Sequence, residues 1–278
     1  MSFFVCFINS SIHLTPFEKK LKCFFPIELA DADHNTCIPS LIQGLSQNSK
    51  KGTLIQLSGA ANSLDASNGL GKPSTKIWDD VADLDEILTF DSTHIHAITD
   101  QLVVSEGKKH GVRTAVVQPP IVYGTGEGPV KKTSMLPYTV DAIKKHGKAF
   151  TIGEGKHITS VVYIKDLSAA LLLLVEQALQ PNGGKADWGD NGMYYIVGGS
   201  CVFVDLVNAI AKDMFERKMI ASTELEELPL EEAKVLNPWA ELLWGMNMRV
   251  RGSRILRLGL GWKPSQEDVF RSIPGLLG

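Results

Sequence analysis

The sequence has few cysteines, no long apolar run and no dense cluster of basic residues. The longest apolar run, residues 169–175, is far shorter than the roughly 20 residues that span a membrane. Without a basic stretch, nucleic acid is not an expected partner. The four cysteines show neither C-x-x-C spacing nor regular pairing, which argues against a disulfide framework and a zinc site and favours a reducing, cytoplasmic environment. They are Cys6, Cys23, Cys37 and Cys201.

The amino-terminal run M-S-F-F-V-C-F-I-N has no positive region and no small-residue cleavage pattern, so we expect no signal peptide. With 278 residues, 44% of them apolar, and a net charge of −3, the chain can bury a large core. These features predict a globular protein with no membrane partner.

Apolar runs alternate with helical patterns along the chain, which predicts an α/β fold with a parallel sheet. Residues 53–57 and 113–118 read as buried strands, and residues 92–110 as a helix that ends at Gly111. We predict one α/β domain over residues 1–180 and a smaller lobe over residues 181–278. Ligands of such sheets lie beyond the carboxyl ends of the strands, so the loops there are the candidate site.

Four short motifs occur in an order that resembles one known family. They are P-P-I-V-Y-G at residues 119–124, V-V-Y-I-K-D-L-S-A-A at 161–170, Y-Y-I-V-G-G at 194–199 and L-G-W-K-P at 260–264. Together they resemble the extended short-chain dehydrogenase/reductases, also called the NAD-dependent epimerase/dehydratase family. In amino-acid sequence they are most similar to fungal members, which are often enzymes of secondary metabolism. The resemblance implies a Rossmann-like, doubly wound, mostly parallel sheet with a small carboxyl-terminal substrate lobe. It also implies NAD or NADP as cofactor and an oxidoreductase or epimerase/dehydratase activity.

The glycine-rich turn that holds the cofactor pyrophosphate in this family is missing. No glycine precedes Gly44, and the serine that matches the family's active-site serine is Ser58, far earlier than in complete members. We therefore expect a sheet that is incomplete at its amino-terminal side. An exposed sheet edge invites pairing with another chain, so a homo-oligomer is one expected remedy.

The resemblance assigns site residues to two groups. The loop after the family's fourth strand and the loop after its sixth pass beside the cofactor. The matching positions are Ala30, Asp31, Pro119, Pro120, Ile121 and Val122. The substrate side falls on Tyr123 and on Arg249 and Arg251 of the lobe, whose guanidinium groups suit an anion.

The catalytic candidates are Ser58, His96 and Asp100. In the family, a serine or threonine at the position of Ser58 hydrogen-bonds the reacting oxygen of the substrate. A Y-x-x-x-K pair is expected on the helix over residues 92–110, but the chain has H-A-I-T-D at residues 96–100 instead. Imidazole transfers protons near neutral pH, and Asp100, one helical turn on, is expected to orient it. This exchange favours proton transfer over hydride transfer.

Other interpretations remain open at this stage. One is a cofactor-free isomerase, dehydratase or cyclase that uses His96 and Ser58, and another is a non-catalytic relative. Ser58 also suits a strand turn, and His96 and Asp100 also suit a solvated helix. The acidic stretch at residues 79–86 is predicted to be a solvated helix face, and Asp166 a helix cap.

Overall fold

A computed structural model describes residues 5–8, 25–29, 31–48, 52–127, 135–265 and 267–276. The strands are β1 Val5–Ile8, β2 Phe25–Glu28, β3 Thr53–Leu57, β4 Leu64–Asp65, β5 Trp78–Asp79, β6 Arg113–Gln118, β7 Ile121–Tyr123, β8 Ala149–Thr151, β9 Ile158–Tyr163, β10 Met193–Tyr195, β11 Gly199–Val202, β12 Leu225–Glu227, β13 Asn247–Met248 and β14 Val250–Arg251. The helices are α1 Cys37–Ser46, α2 Leu84–Ile87, α3 Ala97–His110, α4 Met135–His146, α5 Ile164–Leu179, α6 Phe203–Glu216, α7 Leu230–Leu236, α8 Ala240–Trp244, α9 Ser253–Arg257 and α10 Val269–Leu276.

The main sheet is parallel throughout and has the strand order β1-β2-β3-β6-β10. Its central strands carry β-branched and other apolar side chains on both faces, as strands buried on both sides do. Helices α1 and α3 cover one face, where Leu54 and Val116 point, and α5 covers the other, where Ile55 and Val117 point. The predicted α/β, Rossmann-like, doubly wound architecture is confirmed.

The apolar run at residues 3–8 is typical of a strand, and it contains β1. Strand β1 lies beside β2, with Val5 opposite Phe25, and is the edge strand among the described residues.

A second sheet is built around β9. Strand β11 runs antiparallel to β9, whereas β7 and β13 run parallel to it, and β13 also pairs with β4. Behind this sheet, a core that includes Val140, Phe150, Phe203 and Trp244 joins helices α4, α6 and α8. Strand β10, from the segment predicted as the lobe, belongs to the main sheet, and the domain boundary at residue 180 stays a prediction.

Asn247 fixes the second sheet to the loop before β5. Its Oδ1 accepts from the N–H groups of Ser74 and Ile158, and its Nδ2 donates to the carbonyl oxygens of Asp65 and Lys72. All four hydrogen-bonding positions of this buried amide are thereby filled.

Two local predictions were wrong. Asp79 and Asp80 do not belong to a solvated face: they are buried, and they accept hydrogen bonds from Ser253, Arg254 and Tyr195. Asp166 does not cap α5, because its carboxylate accepts from the N–H and the hydroxyl of Ser265 and so fixes the tail that precedes α10. In both cases the partner lies about a hundred positions or more away, beyond the reach of a local pattern.

No helix in the described part of the chain has both the length and the apolar character needed to cross a membrane.

Candidate active site

A cavity of about 590 Å³ opens at the carboxyl ends of β3 and β6. This volume lies within the range of about 300–1,000 Å³ that is typical of small-molecule sites. Its walls come from the main sheet, from the residues around the start of β9, and from the segment around α8. The polar side chains that line it are Ser58, His96, Asp33, His157 and Thr159.

Ser58 lies where β3 ends. Its N–H donates to the carbonyl oxygen of Val117 over 2.8 Å, and Ala60 N donates to Pro119 O over 2.9 Å, so the two loops after β3 and β6 are held side by side. The Ser58 hydroxyl is buried and makes no hydrogen bond of normal geometry to any of the described residues. A buried hydroxyl without a firm partner, at the rim of a cavity, is suited to receive a ligand oxygen.

His96 precedes α3 with a left-handed backbone, at φ 68°. The helix therefore begins at Ala97, five residues later than the predicted start at residue 92. The ring Nδ1 lies 2.9 Å from Oδ1 of Asp33, which is exposed after β2. The Nε2 side of the ring lies so close to Gly59 that a Cβ there would be 3.2 Å from Nε2. Gly59 is therefore the residue that lets the imidazole approach the Ser58 loop.

The predicted orienting role of Asp100 is wrong in its geometry, since the imidazole pairs with Asp33. Asp100 is almost fully buried below the Ser58 loop, where Gln118 Nε2 donates to its Oδ2 over 2.7 Å. Burial raises the pKa of Asp100 to about 7, whereas contacts with the Ser58 hydroxyl and Gln118 oppose this rise. The carboxyl group thus supports the serine from behind and does not line the cavity.

The predicted cofactor residues separate into two groups. Pro119, Pro120, Ile121 and Val122 all line the cavity, next to Ser58. Asp31 does not: its carboxylate accepts from the N–H of Asp33 and shapes the turn that carries Asp33. Ala30 lies outside the described residues.

The predicted substrate residues are not brought to this cavity. Tyr123 is buried, and its hydroxyl donates to the carbonyl oxygen of Glu267 on another side of the molecule. Arg249 donates to the carbonyl oxygen of Ser74, and Arg251 is exposed beside Asp79. Their guanidinium groups satisfy protein acceptors or solvent, which sequence position alone does not reveal.

Sequence reasoning missed the opposite wall of the cavity. This wall is apolar and includes Met135, Phe203, Trp239, Leu242, Leu243, Met246 and Met248. The signal was present in the run P-W-A-E-L-L-W-G-M at residues 238–246, which has too many large apolar residues for a solvated helix of five residues. It also missed His157, which is buried directly before β9.

The site fits only part of a nicotinamide dinucleotide. The backbone at residues 119–122 and the Ser58 hydroxyl form a polar edge of the cavity that suits a nicotinamide ring. For the pyrophosphate, the sequence offers no glycine before Gly44. Among the described residues, no three His, Cys, Asp or Glu side chains are placed to hold a metal ion.

The parallel sheet, its two helical layers and a ligand cavity at the carboxyl edge define a Rossmann-like α/β protein. Sequence comparison is more specific. The family model for the NAD dependent epimerase/dehydratase family matches residues 94–186, which include His96, Asp100 and the loop after β6. A relative from Acremonium sp, the oxidase ucsJ, is 32% identical over 258 residues, which cover 88% of this chain and 74% of the relative. The chain therefore belongs to the NAD-dependent epimerase/dehydratase family.

Solved structures agree on the fold. A dTDP-glucose 4,6-dehydratase from Bacillus anthracis in complex with NAD matches 94% of this chain and 73% of its own length, with a TM-score of 0.62 and 12% identity. RMD from Pseudomonas aeruginosa, complexed with NADPH, matches 92% of this chain and 80% of its own, with a TM-score of 0.56 and 16% identity. These matches confirm the predicted Rossmann-like fold.

Proposed function

We propose that the protein is an enzyme of the oxidoreductase or epimerase/dehydratase type that acts on a small organic molecule. In this proposal Ser58 binds the reacting oxygen of the substrate, and His96 moves a proton at the neighbouring atom. The observation that carries the proposal is the placement of the buried Ser58 hydroxyl and the His96 imidazole on one cavity, where the absence of a side chain at Gly59 lets the imidazole approach.

The pair formed by His96 and Asp33 supports a general-base role. A carboxylate oxygen can only accept a hydrogen bond, so the proton of the neutral ring resides on Nδ1 and the lone pair on Nε2. Nε2 lies beside the Ser58 loop, where a bound carbonyl or hydroxyl would be. The imidazole can remove a proton from the carbon α to a bound carbonyl group, while the Ser58 hydroxyl donates to the enolate oxygen that forms. The imidazolium can then return the proton to the same carbon as the carbonyl is restored.

For the cofactor, we propose that a nicotinamide ring lies against Pro119, Pro120, Ile121 and Val122. When bound, NAD or NADP would supply hydride transfer. The proposal is supported by the family, by the name of the Acremonium oxidase, and by the NAD and NADPH in the matched structures. The same relative supports a fungal member of the family. A role in secondary metabolism and a cytoplasmic location are further parts of the proposal, the second in line with cysteines that show no regular pairing in the sequence.

A second candidate is a cofactor-free isomerase, dehydratase or cyclase. Two observations favour it: the sequence has no glycine before Gly44, and the buried carboxyl of Asp100 stands four positions after His96, where the family has a lysine. Proton transfer by His96 and Ser58 needs neither the glycine-rich turn nor the lysine. The two candidates share the same catalytic residues and differ only in the dinucleotide.

Titration with NADH and NADPH separates the two candidates. The purified chain is titrated with each nucleotide while nicotinamide fluorescence is followed. Saturable binding supports the oxidoreductase, whereas no binding up to millimolar nucleotide removes it and leaves the cofactor-free enzyme.

The role of His96 is tested by proton exchange that needs no cofactor. In heavy water, the chain is expected to speed the exchange of the protons next to the carbonyl of 2-tetralone, followed by NMR. Because positioned general bases contribute about 100- to 10,000-fold, His96→Ala should lower the exchange rate at least 100-fold, and Ser58→Ala should also lower it. His110→Ala, at the far end of α3, is the matched control and should leave the rate unchanged. An unchanged rate in His96→Ala would contradict the proposed role.

A further inference from the structure

The wall that faces Ser58 and His96 is lined by apolar side chains and suits the apolar part of a ligand. Phe203 is buried in it, and Leu242, Leu243 and Met246 are contributed by α8 and the turn after it. Trp239, at the edge of the cavity, is 62% exposed, although a tryptophan normally buries its large ring. A large apolar side chain left open at a cavity is typical of a ligand contact.

The charged side chains that line the cavity also indicate an uncharged ligand. Among the described residues that line it, no arginine or lysine is present, and the one carboxylate, of Asp33, already pairs with His96. Binding a diphosphate requires cationic side chains or a row of N–H groups. The described lining therefore does not fit the nucleotide part of a nucleotide sugar, although such sugars are named for several of the matched structures.

His157 supplies a second polar contact away from Ser58. Its side chain is 1% exposed, lines the cavity and stacks on Phe203 with ring centroids 4.6 Å apart. Its Nδ1 has no hydrogen-bond partner in the part of the chain that the structure describes. Burial lowers the pKa of His157 to about 4, so the ring is uncharged at neutral pH. An uncharged imidazole has one donor and one acceptor and matches a hydroxyl group, which also has both.

We propose that the substrate is an uncharged molecule with a flat, apolar ring system, bound between Phe203 and Trp239, whose hydroxyl group binds His157. This inference rests on the proposed function, in which Ser58 and His96 act on a second oxygen of the same molecule. It excludes sugar nucleotides and phosphorylated substrates from the site.

The test measures binding without turnover. The full chain is titrated with 2-naphthol, with naphthalene, with 2-naphthyl phosphate and with dTDP-glucose, by calorimetry and by tryptophan fluorescence. We expect 2-naphthol to bind at least tenfold more tightly than 2-naphthyl phosphate and dTDP-glucose, and several-fold more tightly than naphthalene.

Two variants test the contacts. His157→Phe keeps the ring and its stacking but removes the hydrogen bond, and should weaken 2-naphthol binding about five- to tenfold while leaving naphthalene binding unchanged. His110→Phe is the matched control and should change neither. Trp239→Ala alters an exposed side chain, so it should fold normally, and it should weaken both ligands.

Each contrary outcome overturns a stated part of the inference. Equal or tighter binding of dTDP-glucose or 2-naphthyl phosphate would overturn the uncharged substrate, and so would no binding of 2-naphthol up to millimolar concentration. Unchanged 2-naphthol binding in a folded His157→Phe variant would overturn the hydroxyl contact. The proposed function fails separately, if His96→Ala leaves proton exchange unchanged while 2-naphthol still binds.

Discussion

His96 has a left-handed backbone, which costs a non-glycine residue roughly 1–2 kcal/mol. Two contacts coincide with it: the hydrogen bond from Nδ1 to Asp33 and the close packing of Nε2 on Gly59. Strained backbone of this kind concentrates at functional sites, where the surroundings hold it in place. The position of the imidazole therefore depends on the smallest possible side chain at residue 59.

Gly59→Ala should impair catalysis without unfolding the protein. The backbone at Gly59 is extended, at φ −152°, so alanine causes no backbone strain, but its Cβ would force the imidazole to move by a few tenths of an ångström. Because a misplacement of 1 Å can cost about 100-fold, we expect about a tenfold slower proton exchange with 2-tetralone and little change in Tm.

The matched control is Gly199→Ala. Gly199 is exposed, and a Cβ there would meet no atom within 4 Å. It should change neither the exchange rate nor Tm, and an equal rate in Gly59→Ala would show that the approach of His96 to Gly59 is not needed.

At the residue scale, the sequence predicted that Ser58 and His96 come together but not which residue pairs with the imidazole. Ser58 and His96 were identifiable because each stands at the end of an element that a parallel sheet directs to one edge. Asp33 was not identified as the partner of His96, because it lies 63 positions earlier in a loop and no spacing rule joins the two. Asp100 had the expected spacing of one helical turn, but that turn directs it into the protein interior.

At the scale of elements, Arg254 joins α9 to β10 and to the turn after β5. The side chain is 1% exposed and donates to the carbonyl oxygens of Met193 and Asp80 and to the carboxylate of Asp187. The backbone N–H of Arg254 also donates to Asp80 Oδ1. The buried Asp80 carboxyl, whose pKa burial raises to about 7, depends on this neighbour for its charged form.

Arg254→Ala should therefore destabilise the protein strongly. Removing one partner of a buried charge pair costs about 3–5 kcal/mol of the free energy of unfolding. Arg257→Ala is the matched control, since Arg257 contacts the same Asp187 carboxylate from an exposed position and should cost about 1 kcal/mol or less. Denaturant titration of both variants gives the comparison, and equal losses would contradict a structural role for Arg254.

Elements rich in charge were the hardest to predict. The acidic stretch at residues 79–86 has the composition of a solvated surface, yet its first two carboxylates are buried against residues about 115–174 positions further on. Local sequence gives the propensity of an element, but the partners that bury a charge come from the tertiary fold.

At the scale of the whole molecule, stability should depend on pH through Asp100. An unfolded aspartate titrates near 3.9, whereas burial raises the pKa of Asp100 to about 7 in the folded protein. Folding thus favours the protonated carboxyl group. Its contribution to stability is full below about pH 4 and is lost as the pH rises to about 7.

Asp100→Asn removes this titration while keeping an acceptor for Gln118. Relative to the unsubstituted protein, its free energy of unfolding should increase between about pH 4 and pH 7, by on the order of a few kcal/mol, and then level off. Denaturant titrations at several pH values measure it. At pH 4 the residue-100 side chain is uncharged in both folded proteins, so the difference in free energy of unfolding at that pH is the internal control. If the free energies of the two proteins ran parallel against pH, a raised pKa of Asp100 would be contradicted.

The overall architecture was predictable because alternating strands and helices allow few arrangements. The motifs around residues 119–124 and 161–170 correctly indicated the family. The substrate side was not predictable: its wall depends on how α8 and β13 pack against β9, and the arginines chosen for their chemistry satisfy other partners.

Trp239 and Met246, on one wall of the cavity, follow Ser58 and His96, on the other, by more than a hundred positions in the chain. During synthesis on the ribosome, the strands that carry Ser58 and the proline loop emerge first and can pair once residue 195 is free. The segment with Trp239 and Met246 follows later. A nascent chain that has emerged only to about residue 200 can complete the main sheet, yet its serine and imidazole would still face bulk water, so catalytic competence arrives last.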